Sequence, residues 1–201
     1  MKSGEGQFTG HPINIRGFII GHYPIRGFLA WGEGETQAVF VDPGGWDERI
    51  KQIIDAFGLT LRAIFLTHGH WDHTGGLDEM TARLRAPVYA HADDVRLLTN
   101  PPDIALEGGE IISCGTLCWR VLHVPGHTAG SVAYAASGIV FTGDTLFAGS
   151  IGGTPNLAEY ERERHAIRER LFPLGDETRA YPAHGPATLL GIERRCNPFL
   201  R

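Results

Sequence analysis

The sequence predicts a mixed α/β sandwich made of two similar halves. Three observations carry that expectation. Short apolar runs recur between turn signals, runs with helical spacing follow groups of them in each half, and ligand-type side chains gather where several runs end. At 201 residues and 42% hydrophobic content the chain suits one domain over positions 1–201, with a core that needs no disulfide staples.

In chain order, Ile13–Gly21, Phe28–Trp31 and Ala38–Val41 read as strands, and "VDPGG" (Val41–Gly45) breaks the last of them. In "DERIKQIIDAFG", Ile50, Ile53, Ile54 and Phe57 fall at helical spacing and Gly58 is a stop. "RAIFLT" is a buried strand, Leu77, Met80 and Leu84 share one helical face, and "APVYAH" is the next strand. In the second half, Leu117–Val124, Ser131–Ala136 and Ile139–Thr142 read as strands separated by "PGHTAG" and "SG". Leu157 to Phe172 reads as a helix with Tyr160, Arg164, Ile167 and Leu171 along one stripe and charges elsewhere, and "RAYPAHG" is a strand ending in a loop.

Composition narrows the function classes. Net charge is −5 with both signs well mixed and no basic run to track phosphates, so no nucleic-acid partner is expected. The N-terminal "MKSGEGQFTG" lacks the apolar stretch of a signal peptide, and no window approaches the ~18 apolar residues of a membrane span. No membrane partner and a cytoplasmic location follow as expectations. Cys114, Cys118 and Cys196 are too few and too odd for a disulfide framework, which fits a reducing compartment. Cys114 and Cys118, four apart in a strand-like run, are expected to share one face as small buried hydrophobes.

The chemistry starts at "THGHWDH" (Thr67–His73), three imidazoles and a carboxylate within a few residues, groups that bind divalent first-row metals. At an extended strand end, residues two apart point the same way, so His68 and His70 converge on one point, while Asp72 and His73, where the chain turns into a helix, reach a second point nearby. A pair of sites is the natural geometric reading, and each is short of ligands. His127 in "VPGHTAGS", Asp144 in "VFTGDTLF" and His184 in "YPAHGPA" lie at strand-to-loop exits and supply the remainder. His11, His22, His91, His123 and His165 read as single structural or solvated histidines without acidic or glycine context, with His123 close enough to His127 to support it.

THGHWDH, PGHTAGS, GDTLF and PAHG, in that order and over nearly the whole chain, resemble the metallo-β-lactamase-fold hydrolases. The resemblance implies a four-layer αβ/βα sandwich with metals at one edge. It implies His68, His70 and His127 on a first metal, Asp72, His73 and His184 on a second, and Asp144 bridging the two. Within that superfamily, "LFAGSIGG" and the tail "YPAHGPATLLGIERRCNPFL" resemble small glyoxalase II-like (hydroxyacylglutathione hydrolase-like) proteins. That implies two divalent ions, zinc ahead of iron or manganese. It also implies hydrolysis of a small-molecule thioester such as the glutathione derivative S-D-lactoylglutathione by a metal-bridging hydroxide, with Asp72 and Asp144 as the catalytic carboxylates. There are two departures. Gly153-Thr154 stands where such proteins often carry Arg-Thr after "GSIG", and only a short tail follows His184, without the C-terminal helical region by which longer glyoxalase II enzymes grip glutathione. Asp42 reads either as a plain turn residue or, by resemblance, as an acid supporting a metal ligand.

The rival enzymatic expectation is a persulfide dioxygenase, which shares the fold and binds one iron through the same ligand types. True β-lactamases with Cys at the Asp144 position, ribonuclease-type relatives with a basic RNA surface, and flavin-linked relatives fit less well. A metal-stabilised binding module is the non-enzymatic alternative.

Overall fold

A computed structural model describes residues 12–201. His11 and the signal-peptide reading of "MKSGEGQFTG" fall outside them. The first sheet runs in spatial order β1 (Ile13–Ile20), β2 (Ile25–Gly32), β3 (Gln37–Val41), β4 (Thr60–Phe65), β5 (Val88–His91), β6 (Ile104–Leu106). Its first two pairings are antiparallel, and β3–β4, β4–β5 and β5–β6 are parallel. Parallel neighbours need crossovers. These are α1 (Glu48–Ala56) between β3 and β4, and α2 (Trp71–Thr74) with α3 (Leu77–Leu84) between β4 and β5.

The second sheet collects β7 (Ile111–Cys114), β8 (Leu117–His123), β9 (Val132–Ala136), β10 (Ile139–Gly143), β13 (Arg179–Pro182) and β14 (Thr188–Leu189). Its order is β14-β13-β10-β9-β8-β7, and only β10–β13 is parallel. That crossover carries the small hairpin β11 (Leu146–Phe147) and β12 (Ser150–Ile151), then α4 (Leu157–Ala166). The helix α5 (Leu190–Cys196) follows β14.

Three apolar clusters show the layering. Ile50, Ile54 and Met80 of α1 and α3 pack on Leu29, Phe40 and Ile64. Phe28, Phe65, Trp119, Tyr134 and Phe141 fill the space between the sheets. Ile167, Leu171, Leu190 and Leu200 cover Ala133, Val140 and Ala180 on the far face. The result is the expected αβ/βα sandwich. Its centre is an aromatic stack, Phe65 on Tyr134 at 4.3 Å and 6°.

Tyr134 also donates its hydroxyl to the Leu66 carbonyl at 2.9 Å, just before the histidine motif. Tyr134→Phe is expected to cost about 1–2 kcal/mol in urea unfolding, because it leaves a buried carbonyl short of a partner.

Several elements differ from expectation. α1 begins where the Asp47 side chain accepts from the Arg49 amide at 2.8 Å, and Gly58 at φ +62 ends it. Phe57 does not join the core face; it is 52% exposed, with its ring 5.3 Å from Trp31. The helix from Leu157 is α-helical only to Ala166 and continues as a π-helical turn over Ile167–Leu171. Ile167 and Leu171 are buried as the stripe requires, but Glu163, expected among the solvated charges, is 0% exposed.

Cys114 and Cys118 do not share a face. A tight turn with Gly115 at φ +58 separates them, and across the hairpin Cys114 pairs with Leu117 and Ser113 with Cys118. Cys114 is buried, where desolvation pushes its thiol up to about 11, while Cys118 and Cys196 are exposed. Among the described residues no helix is long and apolar enough to cross a membrane.

Candidate metal centre

Four strand exits on one edge of the sandwich deliver the polar cluster. β4 runs through Leu66 and Thr67 into His68, and His70, in extended conformation at φ −66 and ψ 146, precedes α2 with Asp72 and His73 in its single turn. His127 lies between β8 and β9, Asp144 follows β10, and His184 follows β13. "VDPGG" lies beneath: a Cβ on Gly44 would stand 2.2 Å from the Asp72 carbonyl, so only glycine lets the α2 turn settle there.

All seven sequence-derived site residues meet. His68 Nε2 lies 3.0 Å from His70 Nδ1, which is 2.9 Å from His127 Nε2. Asp72 Oδ2 is 3.8 Å from His73 Nε2 and 3.6 Å from His184 Nε2. Asp144 lies between these groups: Oδ1 is 3.3 Å from His73 Nε2, and Oδ2 is 3.6 Å from His184 Nε2 and 3.8 Å from His127 Nε2.

The surroundings select the tautomers. His127 Nδ1 is 2.7 Å from the Gly153 carbonyl, so its proton is on Nδ1 and the Nε2 lone pair faces the cluster. The Gly153 carbonyl thus orients the His127 ring. Asp42 is the buried supporting acid rather than a plain turn residue. It accepts from the Thr67 amide at 2.8 Å and the Thr67 hydroxyl at 2.7 Å, and its Oδ2 faces His73 Nδ1 at 3.0 Å. Thr67 Oγ1, its proton given to Asp42, is left to accept from His68 Nδ1 at 3.2 Å, which frees His68 Nε2. The His68, His73 and His127 rings each meet a partner at the outer nitrogen, the arrangement that orients metal-binding histidines.

Electrostatics separate the two groups. Burial, then the charges of neighbouring imidazoles with His73 foremost, hold His68 well below the usual histidine range. His70 is lowered by burial and then by His127. Burial also works to lower His73, but the Asp42 and Asp144 carboxylates override it and push it up to about 10. Burial works to raise Asp144, and His73 beside it outweighs that and holds the carboxyl low. A proton on His73 therefore does between two acids what a cation would otherwise do.

The donor set fits divalent metal ions. A proton on His70 Nδ1 can serve only one of its two nitrogen neighbours, whereas a cation among the three satisfies every lone pair. Nitrogens on a tetrahedral ion at about 2.0–2.1 Å stand about 3.3 Å apart, close to the spacing seen. The groups His68/His70/His127, His68/His73/Asp144 and Asp72/His73/His184 each bring their ligand atoms within 4.8 Å of one another.

Sequence reasoning missed three features. His91 and His123 are not single. Their rings stack at 4.0 Å and 17°, and Asp93 Oδ2 lies 3.7 Å from His91 Nδ1. Lone pairs lie in the ring planes, so near-parallel rings send them side by side rather than to one point. His123 Nε2 instead donates to the Ala129 carbonyl at 2.9 Å, bracing the loop that holds His127. "HAD" (His91–Asp93) carried that acidic context in plain sight. Glu163 is a fully buried acid behind His127 and Asp144, signalled by nothing local. Asp94, 1% exposed, binds two of the loops at once.

One aromatic ring borders the cluster: Phe147 stands 6.3 Å from His184. Tyr23 and Trp71, 60% and 57% exposed, meet edge to face at 4.7 Å.

Comparison with known proteins agrees with this geometry. The model of the Metallo-beta-lactamase superfamily matches residues 27–184. The hydroxyacylglutathione hydrolase GloC of Haemophilus influenzae is 33% identical over 86% of this chain and 91% of its own. Among solved structures, the BLEG-1 B3 metallo-beta-lactamase superposes at TM-score 0.85 with 29% identity, over 93% of this chain and 99% of that one. ETHE1 from Myxococcus xanthus superposes at 0.80 with 28% identity, over 92% and 83%. TTHA1623 in a di-iron-bound form superposes at 0.77 with 32% identity, over 92% and 100%. With the family model spanning residues 27–184 and a relative 33% identical over most of both chains, the chain belongs to the metallo-beta-lactamase superfamily.

Proposed function

We propose that the chain is a binuclear metal-dependent thioester hydrolase of the glyoxalase II type. His68, His70 and His127 would hold one ion and Asp72, His73 and His184 the other, with Asp144 between them. The observation that carries this reading is the place of Asp144, whose carboxylate lies 3.8 Å from His127 of the first group and 3.3 and 3.6 Å from His73 and His184 of the second. The likeness to GloC supplies the substrate class.

Two divalent ions bound there supply a water ionised near neutral pH and a Lewis acid for the thioester carbonyl. The chain's own residues do the rest. Asp42, Thr67 and the Gly153 carbonyl lock the imidazoles so that their free nitrogens need no reorganisation on binding. Asp72, beside His73 and His184, would hold its ion and could orient a water there by a hydrogen bond. Seven ligands shared by two ions leave open positions, as catalytic sites require and closed structural sites do not. Phe147, beside His184, offers an apolar surface for the acyl or leaving group. Beside His184, the Arg26 guanidinium is tied to the Gly185 carbonyl. Zinc ranks first as the metal; iron and manganese suit the same nitrogen and oxygen donors.

The test is metal analysis of the purified protein with parallel assays on S-D-lactoylglutathione, glutathione persulfide and a β-lactam, the last because of the BLEG-1 likeness. Metal-dependent thioester turnover is expected. His127→Ala should lose one of the two ions and more activity than the about 10–100-fold that losing a supporting partner costs. Absence of turnover by the metal-loaded protein on all three would leave a metal-stabilised binding module. The likeness to ETHE1 supports a second reading, a mono-iron persulfide dioxygenase. Oxygen uptake with glutathione persulfide, with a single iron per chain, would replace the hydrolase assignment.

A further inference from the structure

We infer that Asp94, which lies outside the ligand motifs, is the positioning residue that assembles the three-histidine site by fastening the loop of His68 and His70 to the loop of His127. Asp94 belongs to the 3₁₀ turn Ala92–Leu97 that follows β5. Its carboxylate takes three hydrogen bonds. Oδ2 accepts from the Gly69 amide at 2.9 Å and from the Thr128 hydroxyl at 2.7 Å, and Oδ1 accepts from the Gly130 amide at 2.8 Å.

The placement of those donors is the argument. Gly69 stands between His68 and His70, Thr128 directly follows His127, and Gly130 lies three residues past it in the same loop. Those loops leave strands of different sheets, so neither can fix its distance from the other by local geometry. Their direct main-chain tie, the Val132 amide on the Thr67 carbonyl at 2.8 Å, lies before His68 and well past His127. Asp94 acts at the ligands themselves.

A buried carboxylate is costly unless its oxygens are filled, and three donors fill these. Space is set aside for it: a Cβ on Gly130 would stand 2.7 Å from the Asp94 carboxylate, so the loop must carry glycine to come this near. An amide at 94 cannot replace the acid, because its NH₂ would face at least one of the three donors. A residue that merely filled space would show no such match of acceptors to donors at ligand-flanking positions.

The inference rests on the metal reading of the cluster and is independent of the substrate. The test titrates wild-type, Asp94→Asn and Thr128→Val proteins with cobalt(II), following the ligand-field absorption and competition with a chelator, after circular dichroism has shown each to be folded. Asp94→Asn is expected to weaken the three-histidine site about 10–100-fold and alter its absorption band, with the Asp72/His73/His184 site little changed. Thr128→Val, which removes one donor of three, should act in the same direction by about fivefold. It keeps the test open if Asp94→Asn does not fold. Wild-type affinity and an unchanged band in the folded variants would overturn the inference and leave the metal reading intact. A wild-type protein that takes up no cobalt would overturn both.

Discussion

Asp144→Ala is expected to weaken metal binding at both ligand groups and to cut thioester turnover by roughly a thousandfold or more. One metal's share of charge stabilisation is several kcal/mol, and each 1.36 kcal/mol is a factor of ten. The carboxylate faces His73 through one oxygen and His127 and His184 through the other. Alanine leaves two half-sites with no shared anion to hold them at a fixed separation. His127→Ala, by contrast, removes a ligand from one group only, so metal counts should separate the two variants. Full metal content with full turnover in Asp144→Ala would remove the bridging role.

Glu163→Gln is expected to stabilise the protein, and more so as pH rises. Burial first and the charge of Asp144 second push the Glu163 carboxyl from its ordinary 4.5 up to about 9, with the His127 backbone offsetting part of the shift. Between those values the folded chain keeps a proton that the unfolded chain releases. Stability is therefore undiminished below about pH 4.5 and falls steadily toward pH 9. At pH 7 the loss is of order 3 kcal/mol, from about 2.5 pH units at 1.36 kcal/mol each. Glutamine has nearly the same shape and no proton to lose. In thermal melts of the metal-free proteins the variant should gain about 6–12 °C at pH 7 and almost nothing at pH 4.5. Equal melting curves across that range would mean that Glu163 is ionised and paired in the fold.

Much of the site was legible in the chain because its chemistry is local. His68 and His70 do converge, in the loop past β4 rather than in the strand itself, and Asp72 and His73 turn away into α2. His127, Asp144 and His184 stood out because each follows a strand-like run at a glycine-rich exit. The longer strands and α1 announced themselves by periodicity. β6, β11, β12 and β14, of two or three residues each, are too short to show any. Cys118 turned outward because a turn, invisible to a simple count of residues, reversed the strand before it.

Residue types, their order and their intervals were enough to point to the sandwich class, the superfamily and seven ligand-type side chains that the fold brings together, since ligand chemistry acts over a few residues. The closing of two sheets on one another decided what no short window holds: the burial of Glu163, the pairing of His91 with His123, and the meeting of Asp94 with Gly69 and Gly130. Those outcomes depend on which distant donor or apolar wall comes to lie beside a charge, and that is a property of packing.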